Sequence, residues 1–258
     1  MPLPAKAFQR WLNGVAPDTS TAVICRVSGV KRTTLAQQLV RGKVAETTVV
    51  SISRAYDINP VAALATFDTY SDLVSSSLPP SDRELVSQIA TVDLLRAVIV
   101  RTAPTGSAGT GSTGSGSTGS GSTGTGPPEL SPPPHATSVK NWVDAIDDGE
   151  LRHRVSAATG VAPQNYSAQL TANRLAPELA VATSRAAGVG LAGGLVATGL
   201  VTEAESGWPP GARQAALDRL SDGDLAALAG ERLQALGKAL RRQEQDQEQT
   251  ERIWENLV

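Results

Sequence analysis

Residues 105–126 read TGSAGTGSTGSGSTGSGSTGTG and contain only Gly, Ser, Thr and one Ala. Such a segment has no apolar surface to offset the entropy of ordering it, so it predicts a flexible coil. Whatever folds must fold on either side of it. A coil of about 22 such residues reaches roughly 25 Å, enough to let two domains dock freely. Its regularity is that of an engineered tether. The following PPELSPPPHATS reads as the disordered start of a second polypeptide, so 105–138 as a whole is expected to be flexible linker.

With the tether set aside, the two sides repeat one another. A shift of 131 residues places Trp11 on Trp142, Gly29-Val30 on Gly160-Val161 and Gln38-Leu39 on Gln169-Leu170. It also places Arg54-Ala55 on Arg185-Ala186 and Leu64 on Leu195. Apolar character persists at Ile24/Val155, Val44/Leu175 and Val50/Val181. Farther on, the stretch from Leu78 parallels the stretch from Trp208 with a one-residue slip. Two diverged copies of one fold account for this pattern.

Each copy reads as short helices. Aromatics are 3% of the chain, and Ala, Leu and Val carry most of the apolar content, which disfavours a β-sandwich. In the first copy, AKAFQRWLNGV, DTSTAVICRVS (capped by Asp18 or Thr19), KRTTLAQQLVR, ETTVVSISRAY and NPVAALATF predict five helices. One more helical stretch is expected from Pro79-Pro80 to about Val100. Trp11 and Trp142 are expected in their respective cores. Leu225, Leu228, Leu233, Leu236 and Leu240 make a helical seam in the second copy's tail, expected to be core or dimer interface. The class is all-α.

The second and third helices, joined at Gly29, have the helix-turn-helix order, in which the third helix enters the major groove. Leu35 and Leu39 face inward, leaving Lys31, Arg32, Thr33, Thr34, Gln37 and Gln38 outward. Arg can pair bidentately with guanine and Gln with adenine. Arg41 and Lys43 follow at the helix end, where cations meet phosphates. In the second copy Ala162-Pro163 replaces Lys31-Arg32 and Ala172 replaces Arg41, leaving Gln164, Asn165, Gln169, Asn173 and Arg174 as candidate contacts.

VSGVKRTTLAQQLVRGKVAETTVVSISRAYDINPVAAL, residues 27–64, resembles the lambda-repressor-like Xre/Cro/C1 helix-turn-helix family. The turn glycine, the Thr-Leu of the third helix, the Gly after it, the ETTVV opening and the YDINPVAAL close carry the resemblance. An excess of Arg over Lys, 18 against 5, and abundant Ala point to its actinobacterial or actinophage branch. The resemblance implies five-helix DNA-binding domains at 1–76 and 139–206. Helical extensions at 77–104 and 207–258 would form the mutual interface.

The function expected is sequence-specific binding of double-stranded DNA at an asymmetric operator by a tethered heterodimer acting as a transcriptional repressor or activator. The alternative is a regulatory module in which the second copy modulates the first. Charge follows this division: residues 1–103 hold eleven Lys and Arg against eight Asp and Glu, a net of +3, and the remainder nets −5. No nucleophile, base and orienter occur together, so no enzyme is expected. Cys25 stands alone, and neither His135 nor His153 has a metal-ligand companion, so no metal, cofactor or small-molecule ligand is expected. The apolar run 186–201 carries five glycines and is too short for a membrane span. A cytoplasmic, nucleoid-associated protein is the expectation.

Overall fold

The computed structural model describes residues 2–74, 78–103 and 129–255. The tether at 105–126 lies outside them. Among the described residues the protein is all-α apart from one two-stranded antiparallel ribbon.

The first copy begins with strand β1 (Leu3–Pro4) and helices α1 (Ala5–Val15), α2 (Thr21–Ser28) and α3 (Arg32–Val40). Strand β2 (Lys43–Val44), α4 (Glu46–Ala55), α5 (Pro60–Ala65) and a 3-10 turn (Asp68–Tyr70) follow. Its extension comprises α6 (Asp82–Ser87) and α7 (Thr91–Thr102). The second copy has α8 (Ser138–Ile146), α9 (Leu151–Thr159), α10 (Pro163–Thr171), α11 (Pro177–Ala187) and α12 (Gly193–Ala197). It ends in α13 (Ala212–Arg219) and α14 (Asp222–Glu255).

The 131-residue shift carries α3 onto α10 end for end and α2 onto α9 to within one residue at the start. The backbone agrees more closely than the side chains. Left-handed residues fall in pairs at that shift: Asp18 and Gly149 (φ 60° and 97°), Gly29 and Gly160 (both 70°), Gly42 and Asn173 (70° and 49°), and Asp57 and Gly188 (55° and 69°). Three of the four pairs set a glycine against Asp or Asn, the side chains that tolerate this conformation best. The chain path is thus shared where the residue identity is not.

The chain forms two compact units, Met1–Gln88 with Pro132–Ala216, and Ile89–Ser131 with Leu217–Val258. The first unit holds both five-helix copies. In the first copy Leu3, Phe8, Leu35, Val44, Val49, Ile52 and Leu64 are fully buried. In the second, Trp142, Val143, Leu151, Val155 and Tyr166 are buried together with Leu170 and Leu179. In the second unit α7 packs along α14. There Arg101 donates to the carbonyls of Leu217 and Leu220 (2.8 and 2.7 Å) at the end of α13.

Several boundaries differ from expectation. Helix α2 starts at Thr21 and is capped by Ser20, whose hydroxyl accepts from Val23 N–H, because Asp18 is left-handed and cannot begin it. The single helix expected after Pro79-Pro80 is two, α6 and α7, parted at Gln88–Ala90. Ser81 and Glu84 form a reciprocal capping box that fixes the start of α6. The proline-rich end of the linker has defined contacts: Ser131 N–H donates to Asp93 (2.9 Å), and His135 Nε2 lies 3.0 Å from the Ser87 carbonyl.

Trp142 is fully buried as expected, whereas Trp11 is only half-buried, beside Phe8 and Phe67 with ring centroids 5.8 and 6.1 Å away. The matching positions beside the two rings differ by one carbon. A Cβ at Gly194 would stand 2.7 Å from the Trp142 ring, and the first copy has Ala63 at the matching position. The Leu seam is likewise divided: Leu225 is buried, but Leu233, Leu236 and Leu240 are exposed. The glycine-rich run 186–201 supplies α12, and no described helix is long and apolar enough to cross a membrane.

Candidate nucleic-acid interface

Helix α2 ends at left-handed Gly29, and extended Lys31 leads into α3. Leu35, fully buried, and half-buried Leu39 hold α3 to the core. The ribbon fixes the far end of α3: Leu3 pairs with Val44 and Pro4 with Lys43, and Ala5 N–H donates to the Gly42 carbonyl (3.0 Å). Arg41 and Lys43 are thereby presented from a braced turn rather than a free loop.

Lys31, Arg32, Thr33, Thr34 and Gln37 are exposed along the outer side of α3, with Arg41 and Lys43 at its end. None of these four cations makes an ion pair among the described residues. Nor do the exposed Lys6, Arg10 and Arg26 of the same copy. No side chain among the described residues caps the start of α3, whose first N–H groups have no intrahelical acceptor. That end carries partial positive charge and lies beside Lys31 and Arg32. Gln38 is different. It is half-buried, and its Oε1 accepts from the Thr48 hydroxyl (2.9 Å), bracing α3 against α4.

The second copy has the same frame and a different surface. Tyr166 takes the place of Leu35, and its hydroxyl meets Thr183 Oγ1 (2.9 Å) inside the core, where burial pushes the phenol up. Gln164, Asn165 and Arg174 are exposed. Gln169, matching Gln38, accepts from Ala176 N–H (3.4 Å). Asn173 leaves the set of outward contacts, because its Oδ1 accepts from Val139 N–H (2.8 Å) and its Nδ2 donates to the His135 carbonyl (3.3 Å). It does for α8 what the ribbon does for α1.

The cations here are largely spent on neighbours. Lys140 pairs with Asp144, and Arg152 with Asp144 and Asp147 (3.8 and 3.6 Å). Arg154 pairs with Asp148 (3.0 Å), and that bond holds the Asp148 carboxyl below the usual range. Arg174, the one cation in this copy's candidate set, has no such partner among the described residues. No group of three His, Cys, Asp or Glu able to hold a metal occurs among the described residues.

The residues that join the copies were not marked by any local pattern. Arg54 donates Nε and Nη2 to the two carboxylate oxygens of Glu205 (2.6 and 2.7 Å) and Nη2 to the Leu200 carbonyl (3.1 Å). Arg185, its equivalent, donates to Asp72 of the first copy (2.9 and 2.7 Å). Each copy thus offers the same arginine to an acid lying after the other's fifth helix, the reciprocity of an approximate two-fold interface. The Arg54 side chain holds the Glu205 carboxyl below the ordinary glutamate range. The signal was present: an arginine retained at one position of two otherwise diverged helices.

Comparison of the chain with family models, with curated proteins and with solved structures finds no match in any of the three.

Proposed function

We propose that the chain is a sequence-specific double-stranded-DNA-binding transcriptional regulator. It is read as two lambda-repressor-like helix-turn-helix domains that form a heterodimer and are tethered into one polypeptide, acting in the cytoplasm at the nucleoid. The observation that carries the proposal is the outer side of α3. Arg32, Thr33, Thr34 and Gln37 flank an uncapped helix start, with Lys31, Arg41 and Lys43 around them and without ion pairs among the described residues. Unpaired exposed cations are suited to phosphates, and Arg and Gln at a helix start are suited to base edges. The reciprocal Arg54–Glu205 and Arg185–Asp72 bonds support a paired arrangement.

Selection of bound sites from random duplex DNA by the full chain tests the proposal. An enriched asymmetric motif supports it, and failure to enrich any motif refutes it. The acid-paired cations of the second copy favour a variant reading in which that copy modulates the first without touching DNA. A footprint decides between them. Two half-sites about 34 Å apart mean that both copies read DNA, and a single half-site means that only the first does.

A further inference from the structure

The two ion pairs do not decide which copy pairs with which. Each copy carries both an arginine and an acid after its fifth helix, Arg54 with Asp72 and Arg185 with Glu205, so the ion pairs alone do not exclude like pairing. Choice must come from shape.

The segment from Leu78 to Glu84 of the first copy rests on the second. Glu84 is 1% exposed; its Oε2 accepts from Ser81 N–H and Oγ–H (both 3.0 Å), and its Oε1 from Trp142 Nε1 (3.4 Å). Gly190 and Gly193 form the surface beneath. A Cβ at Gly190 would stand 2.7 Å from the Leu78 carbonyl oxygen, and one at Gly193 would stand 2.9 Å from Glu84 Oε1. The first approach is to backbone, and the second is to a carboxylate pinned by its capping box. Neither can give way cheaply. Gly190 is not in the left-handed region, so its backbone does not call for glycine; the close approach does.

The positions matching Gly190 and Gly193 in the first copy are Asn59 and Ala62. Both carry a Cβ, and both are exposed. We infer that Gly190 and Gly193 are selectivity determinants: they let the Leu78–Glu84 segment dock on the second copy, while Asn59 and Ala62 bar it from a like partner. A clash with the wrong partner is an effective source of specificity where attractive contacts are shared. The first copy therefore cannot form this interface with another first copy.

The inference rests on the pairing of the two copies and not on DNA binding. All its readouts are taken without DNA, so it can fail while DNA reading stands, and the reverse. In the full chain, Gly190→Ala is expected to lower hydrogen-exchange protection across 82–88 by about tenfold or more, with protection at 151–171 retained. Ala62→Val, on the uncovered side, should leave both regions unchanged. Unchanged protection at 82–88 in Gly190→Ala overturns the inference. If protection at 151–171 also falls, the chain with exchanged surfaces (N59G, A62G, G190N and G193A) decides. Glycine is well tolerated at a helix-capping position such as that of Asn59. The docking surface of this chain then lies on the copy that owns the segment, which cannot reach it within one chain. Light scattering should show twice the wild-type mass, and wild-type mass overturns the inference.

Discussion

The two copies share a backbone and differ in what they do with charge. From α1 to the turn after α3, Lys6, Arg10, Arg26, Lys31, Arg32, Arg41 and Lys43 stand exposed and without ion-pair partners among the described residues. Around α8 and α9, Lys140, Arg152 and Arg154 are each matched to an aspartate. An exposed pair contributes little stability, so the aspartates matter less as braces than as neutralisers. A surface whose cations are matched has little to release counterions from a polyanion; one whose cations are unmatched has much. Diverging the charges while keeping the frame separates affinity from architecture.

Variants of matched residues put this difference between the copies at risk. The largest effect should come from the cores. Trp142→Ala is expected to cost about 3–5 kcal/mol in chemical denaturation, and Trp11→Ala about half as much, because only Trp142 is fully enclosed. Equal losses would mean that the Gly194-for-Ala63 difference is irrelevant to packing. Next comes the charged surface. Replacing Lys31, Arg41 and Lys43 together by Ala should flatten the salt dependence of DNA binding by about 0.9 for each phosphate no longer neutralised. Arg174→Ala should remove one such step at most. A titration series in rising salt reads both.

Arg32→Ala and Gln37→Ala should each cost about 1–3 kcal/mol of discrimination between the selected site and a mismatched one. Gln164→Ala should cost less, and equal losses would sink the asymmetric reading. Asn173→Ala should destabilise the fold by about 1–3 kcal/mol, since it unpairs Val139 N–H and removes one of the two donors to the His135 carbonyl, which keeps Ser138 N–H, while leaving the selected DNA motif unchanged. A changed motif would return Asn173 to the DNA surface.

The smallest effect is that of pH. The Arg54 hydrogen bonds depress the Glu205 carboxyl in the folded state. Its stabilising contribution is therefore complete above the ordinary glutamate value of 4.5 and fades as pH falls through the lower folded value. Thermal midpoints of the wild type and Glu205→Gln should differ at neutral pH and converge in acid. A constant gap would show that the carboxylate's charge is not what joins the copies.

The repeat, the five helices that open each copy and most of the outward residues of α3 were legible in the sequence because each depends on local rules. Helical periodicity marks Leu35 as inward, and glycine marks the left-handed turn at 29. Gln38 was not separable from Gln37 by these rules, since its bond to Thr48 joins two helices. Asn173 looked like a polar surface residue for the same reason. Its two partners lie more than thirty residues away in the chain.

That the chain is helical, that it holds one design twice and that its first copy carries more positive charge than its second all follow from the order of residues alone. Composition, periodicity and a constant shift are properties of the string. Which arginines join the copies, which cations are cancelled and which glycines make room were settled by packing. Those outcomes depend on distances of a few ångströms between residues far apart in sequence. Arg54 meets Glu205, Glu84 meets Trp142, and Gly190 meets Leu78 only after the two copies have packed.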